Sequence, residues 1–146
     1  MSTQVRLKRT IRICGVEENR LNVLLGQRNL LDKDIHDSQS RIAELIRQRD
    51  HQQIGTGNRV TIEQLTQCHT WMDGLDVKVH AESQRRDALL QQREKLQVKI
   101  VTQRSRLKGL EMLVDQLRLS LLSEQQAEQN LLADEQAIRE YAGADQ

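Results

Sequence analysis

From Leu65 onward, one pattern constrains the fold more than any other feature of the chain. Residues recur on a stripe at alternating steps of three and four: Leu65, Cys68, Met72, Leu75, Val79, Glu82, Arg86, Leu89, Arg93, Leu96, Ile100, Gln103, Leu107, Leu110, Val114, Leu117, Leu121, Glu124, Glu128, Leu131, Glu135, Ile138 and Ala142. Sixteen of these twenty-three are apolar, and the spacing never slips. A sustained 3.5-residue repeat specifies the seam of a left-handed coiled coil rather than an ordinary amphipathic helix. At about 1.5 Å per residue such a helix extends roughly 115 Å. The composition agrees. The chain has no Pro to break a helix and no Phe, with one Trp and one Tyr. Its apolar residues are mostly Leu, Ile and Val among Gln, Arg and Glu, which long helices tolerate.

So polar a chain could also be disordered, but disorder does not produce periodicity. No apolar run approaches the roughly 20 residues that span a bilayer. No apolar stretch follows the basic N-terminus as in a secretory signal. These features, with two cysteines, Cys14 and Cys68, point to a reduced, cytoplasmic protein.

One segment reads as a break. Residues 54–60, Ile54-Gly55-Thr56-Gly57-Asn58-Arg59-Val60, combine two Gly with Thr and Asn. Thr61 follows with Gln64 three residues on, a capping-box pattern. The spacing therefore predicts a single all-α domain over 1–146, an antiparallel coiled-coil hairpin with helix 2–52, turn 54–60 and a longer helix 61–141. The first helix carries a looser stripe of Leu7, Ile11, Cys14, Leu21, Leu24, Leu31, Ile35, Ser38, Ile42 and Leu45, interrupted by Glu18, Arg28 and Arg49. With Gly15 and Gly26 each costing about 1 kcal/mol relative to Ala, it is expected to be less regular and to fray near its start. Folding at Gly57 sets residue i near 114 − i. The first helix would then cover the second only to about residue 112, leaving some thirty C-terminal residues to meet another chain or fray.

Chemistry-bearing constellations are sparse. In that hairpin Cys14 and Cys68 lie too far apart for a disulfide and read as small buried residues. No two of His36, His51, His69 and His80 share the i, i+4 spacing of helical metal ligands, and Gly55-Thr56-Gly57 lacks the Lys-Ser/Thr of a P-loop. No catalytic residues, cofactor or metal are expected, because a two-helix hairpin has no cavity to exclude water. Binding surfaces are the better candidates. Leu65, Cys68, Trp71, Met72 and Leu75 form an apolar patch just after the turn, and Trp is enriched at binding hot spots. Charge is sorted as well. Residues 1–12 carry Arg6, Lys8, Arg9 and Arg12 without an acid. Residues 85–108 carry Arg85, Arg86, Arg93, Lys95, Lys99, Arg104, Arg106 and Lys108 against Asp87 and Glu94. At the expected register these stretches form one basic belt. Residues 123–146 carry six acids against Arg139. A belt without interleaved aromatics does not suit nucleic acid. A solvated face is its plain reading, and docking onto an acidic protein ring the sharper one.

Over essentially its full length the chain resembles the FliJ/YscO-type stalk proteins of bacterial type III secretion, flagellar or injectisome. The shared features are a basic N-terminus, a first helix of about fifty residues and a Gly/Asn-containing turn, then a longer helix opening with Val60-Thr61-Ile62-Glu63-Gln64-Leu65-Thr66-Gln67-Cys68. The end, Asp134-Glu135-Gln136-Ala137-Ile138-Arg139-Glu140-Tyr141-Ala142, is similar to the family's acidic terminus. The resemblance implies a non-enzymatic stalk akin to the γ subunit of rotary ATPases, cytoplasmic and peripheral to the inner-membrane secretion apparatus of a flagellum or a virulence injectisome. Its helix ends, with Arg6, Lys8, Arg9, Arg12, Arg104, Arg106 and Lys108, would face the secretion ATPase hexamer. Leu65, Cys68, Trp71, Met72 and Leu75 would face the export gate, and export chaperones would be further partners, with no nucleic acid and no membrane insertion. A dimerising coiled-coil scaffold unrelated to secretion is the alternative, and a helical nucleic-acid binder a third reading.

Overall fold

The structure is a computed structural model that describes residues 2–51 and 61–144. It is a helical hairpin of α1, Thr3–His51, and the longer α2, Ile62–Ala144. The turn expected over 54–60 lies outside the described residues.

Each helix starts on a side-chain cap. At α2 the Gln64 amide donates to Thr61 Oγ1 and the Thr61 amide to Gln64 Oε1, both at 3.2 Å. This is the capping box expected from the spacing, and it satisfies two otherwise unpaired donors. At α1 the Val5 amide donates to Ser2 Oγ at 3.3 Å, a cap that the sequence reading did not single out.

On α2, every buried or half-buried residue from Cys68 to Leu121 falls on the expected stripe except Ser83, and within that span Arg93 is the one exposed stripe residue. On α1 the stripe is more regular than expected. Thr3, Leu7, Thr10, Cys14, Glu17, Leu21, Leu24, Arg28, Leu31, Ile35, Ser38, Ile42 and Leu45 are buried or half-buried, at steps of three and four throughout. Thr10 and Glu17 take the places that sequence reading gave to Ile11 and Glu18. Ile11 is 44% exposed. Spacing outweighs the hydropathy of one residue because a side chain one position off the stripe is turned about 100° away. Nor does α1 end early at its start: it is helical from Thr3.

The chain divides into two compact units. The unit formed by residues 23–100 buries Ile35, Ile42, Leu75, Leu96 and Ile100, the last completely. Its helices are tied by Arg93–Asp32 at 2.6 Å, Arg41–Glu82 at 3.7 Å and Arg49–Asp76 at 3.1 Å. Ser38, 1% exposed, donates to Glu82 Oε1 at 2.9 Å. The unit formed by residues 1–22 and 101–146 buries Val114 and Leu117 beside Thr10, Glu17 and Gln103. Here Gln103 Nε2 donates to the Glu17 carbonyl at 2.9 Å and also to its carboxylate, while Thr3 Oγ1 donates to Glu124 Oε1 at 2.6 Å.

These pairs correct the expected register. Their residue numbers add up to between 120 and 127, where a fold at Gly57 requires 114. The shift sets polar stripe positions against polar partners, Glu17 with Gln103 and Ser38 with Glu82, so that neither is buried without a hydrogen bond. Two consequences follow at the ends. The first turns of α2 precede Asp76, the partner of Arg49 near the end of α1. At the other end α1 reaches Glu124 rather than about residue 112, so the overhang is shorter, 125–144.

Candidate partner-binding surfaces

The opening of α2 holds the first surface. Thr61 fixes where the helix begins, and Ile62 to Gln67 are all exposed. The five residues expected here do not share one environment. Leu75 is 4% exposed and belongs to the core, where no partner reaches it. Cys68 and Met72 are half-buried on the stripe, with Cys68 Sγ 4.0 Å from Met72 Sδ, a weak thiol-to-thioether contact one turn apart. Leu65 and Trp71 are open, at 48% and 41%. Ile62, at 84%, joins them and was missed by the sequence reading, although it lies one turn before Leu65. Ile62, Leu65, Cys68 and Met72 fall on one side of the helix at about 100° per residue, while Trp71 stands to the side.

The second surface is cationic. Arg6, Lys8, Arg9, Arg12, Arg104, Arg106 and Lys108 are all exposed in the unit of 1–22 and 101–146. Arg106 Nη1 lies 3.9 Å from the Glu17 carboxylate, which Arg20 also approaches, at 3.0 Å. Arg6, Arg9 and Ile13 line a shallow groove with Thr10, whose hydroxyl donates to the Arg6 carbonyl at 2.8 Å. Residues 1–12 face the stretch of α2 toward Glu124, further along than the 102–113 that a fold at Gly57 requires. In the unit of residues 23–100, Arg93 pairs with Asp32.

Cys14 and Cys68 are both half-buried, and no disulfide joins them. The Cys14 thiol is pushed above its ordinary range, first by its partial burial, then by the carboxylates of Glu111 and Glu18. A thiol held in its neutral form is a poor nucleophile, which suits a packing role. Among the described residues no group of three or more His, Cys, Asp or Glu could hold a metal ion. No described helix is long and apolar enough to cross a membrane. Among the described residues, the two surfaces are exposed and differ in character, one apolar and one cationic.

No family model, curated protein or solved structure matches this chain.

Proposed function

We propose that this protein is a non-enzymatic coupling component of a bacterial type III secretion export apparatus, flagellar or injectisome, working in the cytoplasm at the inner membrane. The cationic surface of the unit that holds both helix ends binds the secretion ATPase hexamer. The opening of α2 binds the export gate, and export chaperones are further partners. Hydrolysis belongs to the ATPase. The observation that carries the reading is the exposed cationic set Arg6, Lys8, Arg9, Arg12, Arg104, Arg106 and Lys108, gathered in the unit that contains both helix ends. A ring with an acidic lumen attracts such a surface and orients it as it enters. The resemblance to FliJ/YscO-type stalks supports the reading from the sequence side, and the unequal hairpin accords with it.

The direct test is pull-down of a cognate secretion ATPase by the full chain at low salt. Binding that weakens steeply with salt and falls at least tenfold on R6E/R9E/R12E agrees with electrostatic docking. Absence of binding at low salt counts against it. The exposed side chains of the overhang favour a second reading, a dimerising scaffold. Light scattering over a range of concentrations separates the two, since a stable dimer favours the scaffold.

A further inference from the structure

Among the described residues the last cross-helix bond of α2 is the one from Thr3 to Glu124, yet the stripe continues. Every described residue from Leu122 to Ala144 is exposed. Leu131 is 61% exposed and Ile138 68%, and both hold stripe positions that are buried earlier in the same helix. At about 100° per residue, Ala127, Leu131, Ile138 and Ala142 form one line, with Glu128, Asp134 and Glu135 all within about 70° of its centre. Arg139 is the single base of the segment and lies outside that arc. A helix presenting an open apolar line edged by acids fits a complementary helix with an apolar line edged by bases.

We infer that residues 125–144 of α2 are a docking surface for a basic amphipathic helix of a partner protein. Charge decides among the occupants. A second copy of the stripe would set Glu128, Asp134 and Glu135 against the same residues, and like charges at the flanks of a helical seam repel. An acidic ring that attracts Arg6 and Arg9 would repel this segment, so the partner is a different one. The inference therefore does not rest on the secretion reading. Leu131 and Ile138 supply the buried area, while Glu128 and Glu135 select the sign and register of the incoming helix.

The test uses the full chain and three labelled peptides of about three heptads each. The first carries Leu at alternating steps of three and four with Lys at the flanks. The second replaces Lys by Glu. The third keeps the composition of the first with its Leu positions scrambled around the helix. Fluorescence anisotropy should give binding of the first peptide at least about tenfold tighter than of the other two. That binding should fall by a similar factor in L131S/I138S and in E128K/E135K, the second variant serving where the first loses helicity by circular dichroism. Sedimentation of the chain alone should show a monomer. The inference is overturned if the first peptide does not bind, or if the scrambled peptide binds equally well. It is also overturned if the variants bind undiminished, or if the chain alone forms a dimer that L131S/I138S breaks, which would assign the stripe to a second copy.

Discussion

Ile100 loses all contact with solvent, while Leu131, on the same stripe of the same helix, remains 61% exposed. Chemically similar side chains therefore carry different shares of the stability. Ile100→Ala should cost about 2–5 kcal/mol through lost burial and a residual cavity, and Leu131→Ala about 0.5 kcal/mol or less. Thermal unfolding of the two variants measures both, and equal losses would mean that the overhang is packed. Cys14 makes a different prediction. Its folded-state thiol lies above the ordinary range, so the fold favours the protonated form. Its contribution is complete below the unfolded thiol range and is lost as pH rises through the folded value. Stability should thus decline above the ordinary thiol range and decline less in Cys14→Ala, as read by urea unfolding across alkaline pH. Alkylation of Cys14 near neutral pH should be slower than that of an unfolded control. How far residues were legible in the sequence is clear from α1. The three-four spacing through Leu7, Thr10, Cys14, Glu17 and Leu21 is present in the chain, but Ile11 outweighs Thr10 when residues are ranked by hydropathy. A buried Glu17 is plausible only once Gln103 and Arg20 stand beside it.

At the scale of the helix, α2 is the element that its sequence describes best. Its cap at Thr61 and its stripe from Cys68 to Leu121 follow from local spacing alone. The register between α1 and α2 does not. A count of residues through the turn misses it by six to thirteen in the summed pair numbers, and local spacing says nothing of which polar residues meet across the seam. Truncation after Glu124 tests the division of α2 directly. Residues 125–144 make no cross-helix bond among the described residues, so their removal should lower total helicity while the unfolding midpoint of the hairpin stays nearly unchanged. A large fall in the midpoint would mean that the overhang supports the fold. The post-turn surface was legible only in part. Leu65 and Trp71 are exposed as a contact surface requires, but Leu75 faces the core, because the stripe that makes a residue apolar also directs it inward.

For the whole molecule, the polar stripe positions bear on specificity more than on stability. Gln103→Leu should cost about 1–3 kcal/mol by removing a hydrogen-bond partner from the buried Glu17. The double change E17L/Q103L should recover much of that loss, since apolar replacement of a buried polar pair is often neutral or better. If the pair sets the register, the double variant should also show more than one helix pairing by spin-label distances. A single unchanged pairing would assign the register to the remaining contacts. The proposed function rests on the same geometry, because it needs the cations gathered in the unit that holds the helix ends. The most direct measurement is the stoichiometry and charge dependence of the complex with a cognate secretion ATPase, by sedimentation of the mixed full-length proteins. One hairpin per hexamer is expected, with the complex lost in R6E/R9E/R12E. A chain that sediments apart from the hexamer at low salt, or a complex indifferent to that charge reversal, would contradict it.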